Sequence, residues 1–162
     1  MTGAATGSLL GLAHLGLTIA AVACGAPDDV AQRAELLVRR NLFDGRSSFA
    51  IEQARAFQYG DLHVDGLEGG MMYRFRTTQP ALEWLIGRWS LREHRLAALA
   101  RILPATVPEG PSWWRPDEVH RGAIYVATLR LNDGSERILV LVHDREAGDL
   151  FVVGHILAAG SV

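Results

Sequence analysis

Residues 123–157 read AIYVATLRLNDGSERILVLVHDREAGDLFVVGHIL. Apolar and polar side chains alternate in three runs, Ala123 to Leu131, Glu136 to Asp144 and Asp149 to Leu157, which is the period of half-buried strands. The links NDGS and REAGD are short and rich in turn-forming residues, so each is a hairpin connection. The stretch therefore predicts a three-stranded antiparallel meander. If Asn132 pairs with Ser135 and Asp144 with Leu150, then Tyr125, Ala127, Leu129, Ile138, Val140, Val142, Val152 and Ile156 share a core face. The opposite face gathers Val126, Thr128, Arg130, Leu139, Leu141, His143, Phe151, Val153 and His155. It is too apolar for simple solvation, so either helices cover part of it or it is a binding surface.

Upstream, Phe57 and Tyr59 alternate with Gln58, and Met71, Tyr73, Phe75 and Thr77 alternate with polar or flexible residues. Asp65-Gly66 and Gly69-Gly70 lie between them as a hairpin connection. An amphipathic helix is predicted after Asp28 and Asp29, with Val30, Ala34, Leu37, Val38 and Leu42 on its apolar side. It stops at NLFDGRSS, residues 41–48. Phe49 to Phe57 leans toward a short helix. Pro80 opens a further helix carrying Leu82, Leu85, Ile86 and Trp89, and Leu96, Leu99, Ile102 and Leu103 mark another. Prolines 104, 108, 111 and 116 forbid regular structure in PATVPEGPSWWRP and predict a long ordered loop. The predicted fold class is α+β: an antiparallel sheet of about five strands, hairpin plus meander, packed against two or three helices.

The chain has 162 residues and 49% hydrophobic composition, which suits one core, assigned to residues 30–158. Its net charge is −2 with mixed signs, so there is no basic field for a nucleic-acid partner. All sixteen basic residues are Arg, read as the base composition of a GC-rich bacterial gene rather than as selection for anion contacts.

The sole cysteine, Cys24, follows a run from Ser8 to Ala23 that is apolar or small except at His14 and Thr18. That run is shorter than the roughly 20 residues of a membrane-spanning helix and fits the hydrophobic region of a signal peptide. Residues 21–24, Ala-Val-Ala-Cys, then give way to Gly25, Ala26, Pro27, Asp28 and Asp29. The residues alone also suit a plain membrane segment, or a buried cysteine at the end of a core helix. This N-terminal stretch resembles the lipobox of bacterial lipoproteins, over residues 1–24 only. It departs from that pattern in lacking a basic residue before Arg33 and in having Ala21 where Leu is commoner. The resemblance implies cleavage before Cys24, a signal peptide or membrane segment over residues 1–23, an anchor and linker over residues 24–29, and a lipid-anchored location in the bacterial envelope, with a cytoplasmic location as the alternative. Several acyl chains on Cys24 would anchor stably where one would be marginal. Such an anchor on a small α+β domain is similar to the arrangement in small exported bacterial proteins.

Catalytic constellations are absent from the pattern. His143 and His155 share a face in the register above but sit about 13 Å apart at 3.3 Å per residue, too far to ligate one ion. His63, His94 and His120 show no metal-ligand spacing. Asp65 with Glu68, and Asp117 with Glu118, read as solvated turn carboxylates. No serine lies in a glycine-flanked elbow. No catalytic residue, metal or cofactor is therefore predicted. The distinctive motif is SWWRP, residues 112–116. Adjacent tryptophans in a rigid loop face different ways, so one plugs the core while the other caps the sheet or meets solvent. Trp113, Trp114 and Arg115 are the candidate partner-binding residues, because Trp and Arg dominate binding hot spots. The predicted function is a non-enzymatic, lipid-anchored envelope domain that binds a protein or envelope component. The alternative is a small soluble enzyme, or an inhibitor or immunity-type protein acting by surface binding.

Overall fold

The computed structural model describes residues 27–60, 69–103, 109–130 and 134–157. Cys24, His63, Asp65, Glu68 and the first turn's Asn132 lie outside them.

Helix α1 (Pro27–Leu42) buries Ala34, Val38 and Leu42 along one stripe, and the outer side carries the Glu35–Arg39 pair at 2.6 Å. The chain turns at Asp44 and Gly45, both at positive φ, and Gly45 N–H caps the carbonyl of Arg39 at 2.9 Å. Arg39 also donates to the Phe49 carbonyl at 2.8 Å, which ties the turn to the strand that follows.

That strand, β1 (Ile51–Gly60), occupies the stretch whose spacing suggests a helix. It pairs antiparallel with β2 (Gly69–Thr77), and the register shifts between Glu52 and Arg55, where Gln53 has φ 51°. The bulge inserts an extra residue, so Ile51 and Ala54, three apart, both reach the core. Gly69 and Gly70 belong to β2 rather than to the hairpin connection.

Helix α2 (Gln79–Arg88), opened by Pro80, buries Ala81, Leu82 and Leu85. Residues 96–103 form only a 3-10 turn (Leu96–Ala98) and a single helical turn, α3 (Leu99–Ile102). Before them a three-residue strand, β3 (Arg92–His94), pairs with β4 (Gly122–Arg130). Strands β5 (Glu136–Asp144) and β6 (Asp149–Leu157) complete the meander.

The six strands form one antiparallel sheet in the order β1-β2-β6-β5-β4-β3, an α+β fold with one strand more than the sequence suggests. Pairing of β6 with β2 joins the hairpin to the meander.

The register corrects the predicted faces. Tyr125 lies opposite Leu141, and His143 opposite Leu150, each one residue away from the expected pairing. Around the second turn, Asp144 Oδ1 accepts from the amides of Glu146 and Ala147, Gly148 N–H donates to the Asp144 carbonyl at 2.8 Å, and Gly148 sits at φ 72°. A one-residue slip turns a whole strand over. Two slips in succession cancel, so β4 and β6 keep the expected faces and only β5 is reversed. Leu139 and Leu141 join Tyr125, Ala127 and Val152 under α1 and α2, whereas Val140 and Val142 lie with Ile124, Phe151 and Val153. His143 and His155 consequently lie on opposite faces of the sheet.

Neither face is bare. The side away from α1 and α2 buries Met72, Ile124, Val140, Val142, Phe151 and Val153, covered by Trp114 and Val119 with Leu96, Leu99, Ile102 and Leu103 packed around them. Of the two readings of that face, cover is the one found, because the short α3 and the tryptophan loop fold across it. The solvent-facing feature is the outer surface of that covering layer.

Candidate functional site

Trp114 is positioned by a tight turn, its amide donating to the Pro111 carbonyl at 2.7 Å, and by the 3-10 turn Pro116–Glu118 that follows. Its indole is 6% exposed and meets Phe151 of β6 edge-on, with ring centroids 5.7 Å apart and planes at 79°. Gly110 lies so close to this ring that a Cβ there would collide with Cδ1, Cγ and Cβ of Trp114. Backbone therefore packs flat on the indole where any side chain would lift it.

Trp113 is half-buried and edge-on to Trp114, with centroids 6.5 Å apart. Its carbonyl receives a long 3.5 Å contact from Arg74 Nη1. Arg115 is exposed and only 4.0 Å from Glu118. The structure thus separates the three predicted residues into a buried plug, a half-buried flank and an exposed cation at the rim beside Glu118.

Trp114 and Arg115 line the same cavity, of about 580 Å³, between α3 and the loop of residues 109–119. Leu96, Leu99, Leu103, Pro116 and Val119 supply its apolar lining, and Glu109, Arg115 and Asp117 its polar groups. This volume lies in the range of ordinary ligand clefts. A second cavity of about 730 Å³ shares Leu96 with the first and is lined by Glu93, His94, Arg95, His120 and Gly122. The motif announces the Trp114 wall of the site. The opposite wall is the Leu96–Leu103 apolar stripe read from the sequence as a helix, but that it folds across the sheet beside Trp114 is not legible locally.

Two polar arrangements lie within the layers rather than in the groove. Asp149, 3% exposed, accepts from Arg74 at 2.6 Å and from Arg76 at 2.9 Å, and the Arg74 guanidinium also stands over the Phe151 ring at 5.4 Å. Tyr59 and His155, both buried, share a 2.9 Å hydrogen bond. Burial pushes the Tyr59 hydroxyl far above its usual range. His143, on the other face, is pushed down by burial and by the neighbouring Arg145 charge, against a smaller opposing pull from Asp144.

Among the described residues no group of three or more His, Cys, Asp or Glu is placed to hold a metal ion. No described helix is long and apolar enough to cross a membrane. No protein-family model, curated protein or solved structure matches the chain. The functional reading therefore rests on its own residues.

Proposed function

We propose that the chain is a non-enzymatic, lipid-anchored domain of the bacterial envelope that binds a protein or envelope component in the groove beside Trp114. The observation that carries the binding half is the cavity itself: a cleft of mixed apolar and polar lining, floored by the buried Trp114 indole and rimmed by Arg115, Glu109 and Asp117. Apolar clefts with a few convergent polar groups are the usual form of binding sites. The anchor half rests on the lipobox-like Ala21 to Cys24.

A photo-cross-linking residue at Ala100, an exposed position on the groove wall, tests the binding half. Cells should yield a discrete adduct from Ala100 and none from Thr128, an exposed position on β4. Equal labelling at both positions, or none at either, rejects the groove. For the anchor, Cys24→Ala should leave the protein unprocessed or release it from the membrane fraction. Unchanged fractionation and migration reject it.

A further inference from the structure

Helix α1 packs on β1 through the stripe of Ala34, Val38 and Leu42. On its outer side Val30 and Leu36 are 55% and 61% exposed, the two most exposed large apolar side chains among the described residues, and Arg33 and Arg40 stand exposed with them. At about 100° per residue these four side chains occupy one continuous arc of about 120°, separate from the buried stripe. Asp29 lies on the same arc, in the first turn, where the helix N-terminus offsets its charge. Exposed apolar side chains between arginines suit an anionic lipid surface: the apolar groups enter the headgroup layer while the guanidiniums meet phosphates.

The chain also limits where α1 can stand. Pro27 follows Cys24 by three residues, so the start of the helix lies within about 11 Å of that cysteine. A lipid on Cys24 therefore holds the first turn of α1 at the bilayer surface. The rest of the fold is consistent with this side facing the membrane, because α1 and the Trp114 groove lie on opposite faces of the sheet. With α1 laid on the bilayer, the groove opens to the aqueous side, where a partner can enter it.

We infer that the outer side of α1, carrying Val30, Arg33, Leu36 and Arg40, is a membrane-contact surface that rests on anionic phospholipid and turns the groove outward. This rests on the lipid-anchor reading above and adds to it the orientation of the domain. The anchor supplies attachment, and the two arginines supply a preference for anionic headgroups that fixes which side of the domain lies down.

The test uses the full chain, acylated at Cys24 and added to preformed vesicles of phosphatidylcholine alone or of phosphatidylcholine and phosphatidylglycerol in equal parts. Leu36→Cys, or Thr128→Cys on the groove side as the reference, supplies the thiol for a membrane-impermeant maleimide. The labelling rate at position 36 relative to position 128 should be at least about fivefold lower on the anionic vesicles, the effect of one arginine at such a surface. Arg33→Glu combined with Arg40→Glu, both at exposed positions, should remove that difference. An equal ratio on the two kinds of vesicle, or a difference that survives the double substitution, overturns the inference. Flotation of the same samples separates the two failures: a chain that floats with position 36 unprotected rejects the α1 surface alone, whereas a chain that does not float rejects the anchor and this inference with it.

Discussion

The Tyr59 hydroxyl reaches Nδ1 of His155 at 2.9 Å, although a whole strand separates the two residues. Gly70 of β2 pairs with Tyr59 on one side and His155 on the other, so the phenol and the imidazole together span two strand spacings, about 10 Å, and meet over the glycine. The rings stack with planes 14° apart. A Cβ at position 70 would collide with the Tyr59 ring and hydroxyl and with the Gly154 carbonyl oxygen. Gly70→Ala should therefore cost about 1–3 kcal/mol through forced displacement of the tyrosine. Tyr59→Phe should cost a comparable 1–3 kcal/mol, roughly, by removing a partner from the 1%-exposed His155. Urea unfolding measures both. If the ring lies over Gly70, the cost of Gly70→Ala should shrink in a Tyr59→Ala background, and strict additivity would contradict the arrangement.

Stability should fall at both ends of the pH range, through different residues. Burial raises the hydroxyls of Tyr59 and Tyr73 above their usual 10.0; for Tyr73, a hydrogen bond with Asn41 and the charge of Arg137 offset part of the shift. The unfolded chain releases those protons first, so stabilisation present below pH 10 is lost as pH rises beyond it. His143 has the opposite sign. Its folded form takes up a proton only below its usual 6.5, so its contribution is present above that pH and declines as pH falls through it. Urea midpoints across pH should show a shallower alkaline decline in Tyr59→Phe and a shallower acid decline in His143→Gln. Slopes identical to wild type would show that these groups do not carry the dependence.

Parts of this fold are written locally and parts are not. Alternation marks β2 and β4, whereas β5 and β6 are apolar runs bounded by turn residues because both of their faces are covered. It fails for residues 49–57 because the bulge at Gln53 moves Ile51 and Ala54 onto the same side, giving a strand the three-residue spacing of a helix. β3 is Arg-Glu-His, exposed throughout, and has no apolar pattern to read; pairing with β4 makes it a strand. The faces of β5 are not legible because they depend on how many residues the turns consume, and glycines at positive φ alter that count. The Trp-Trp-Arg-Pro motif marked one wall of the groove. The other wall, and the Tyr59–His155 contact, depend on elements that meet only after the sheet is assembled.

Asp149 begins β6 and holds two arginines from β2, Arg74 and Arg76, which stand one residue apart on either side of Phe75. The carboxylate is buried while the guanidiniums keep about a third of their surface in water, with side-chain exposures of 32% and 39%. Removing either arginine leaves Asp149 one donor, whereas removing Asp149 frees two cations able to reach solvent. Arg74→Ala and Arg76→Ala should therefore each destabilise modestly, and the double variant by more than their sum, because the last donor to a buried acid is then gone. A double-mutant cycle in urea measures this coupling. Simple additivity would show that water already satisfies the acid.

Trp114 combines packing and binding in one ring, so its substitutions should separate from those of its neighbour. The indole is buried edge-on against Phe151 and forms the base on which Gly110 and the groove rest. Trp114→Ala should cost about 3–5 kcal/mol, as for other buried aromatics. Arg115 is exposed at the rim of the same groove, so Arg115→Ala should leave stability within about 0.5 kcal/mol of wild type. Trp113→Ala should fall between them because that ring is half-buried. Partner cross-linking from Ala100 should nevertheless weaken in Arg115→Ala, whose fold is intact. Urea unfolding and adduct yield in the same variants decide the matter. If Arg115→Ala changes neither, the rim charge has no part in recognition; if Trp114→Ala is neutral, the indole is not the plug that closes this face of the sheet.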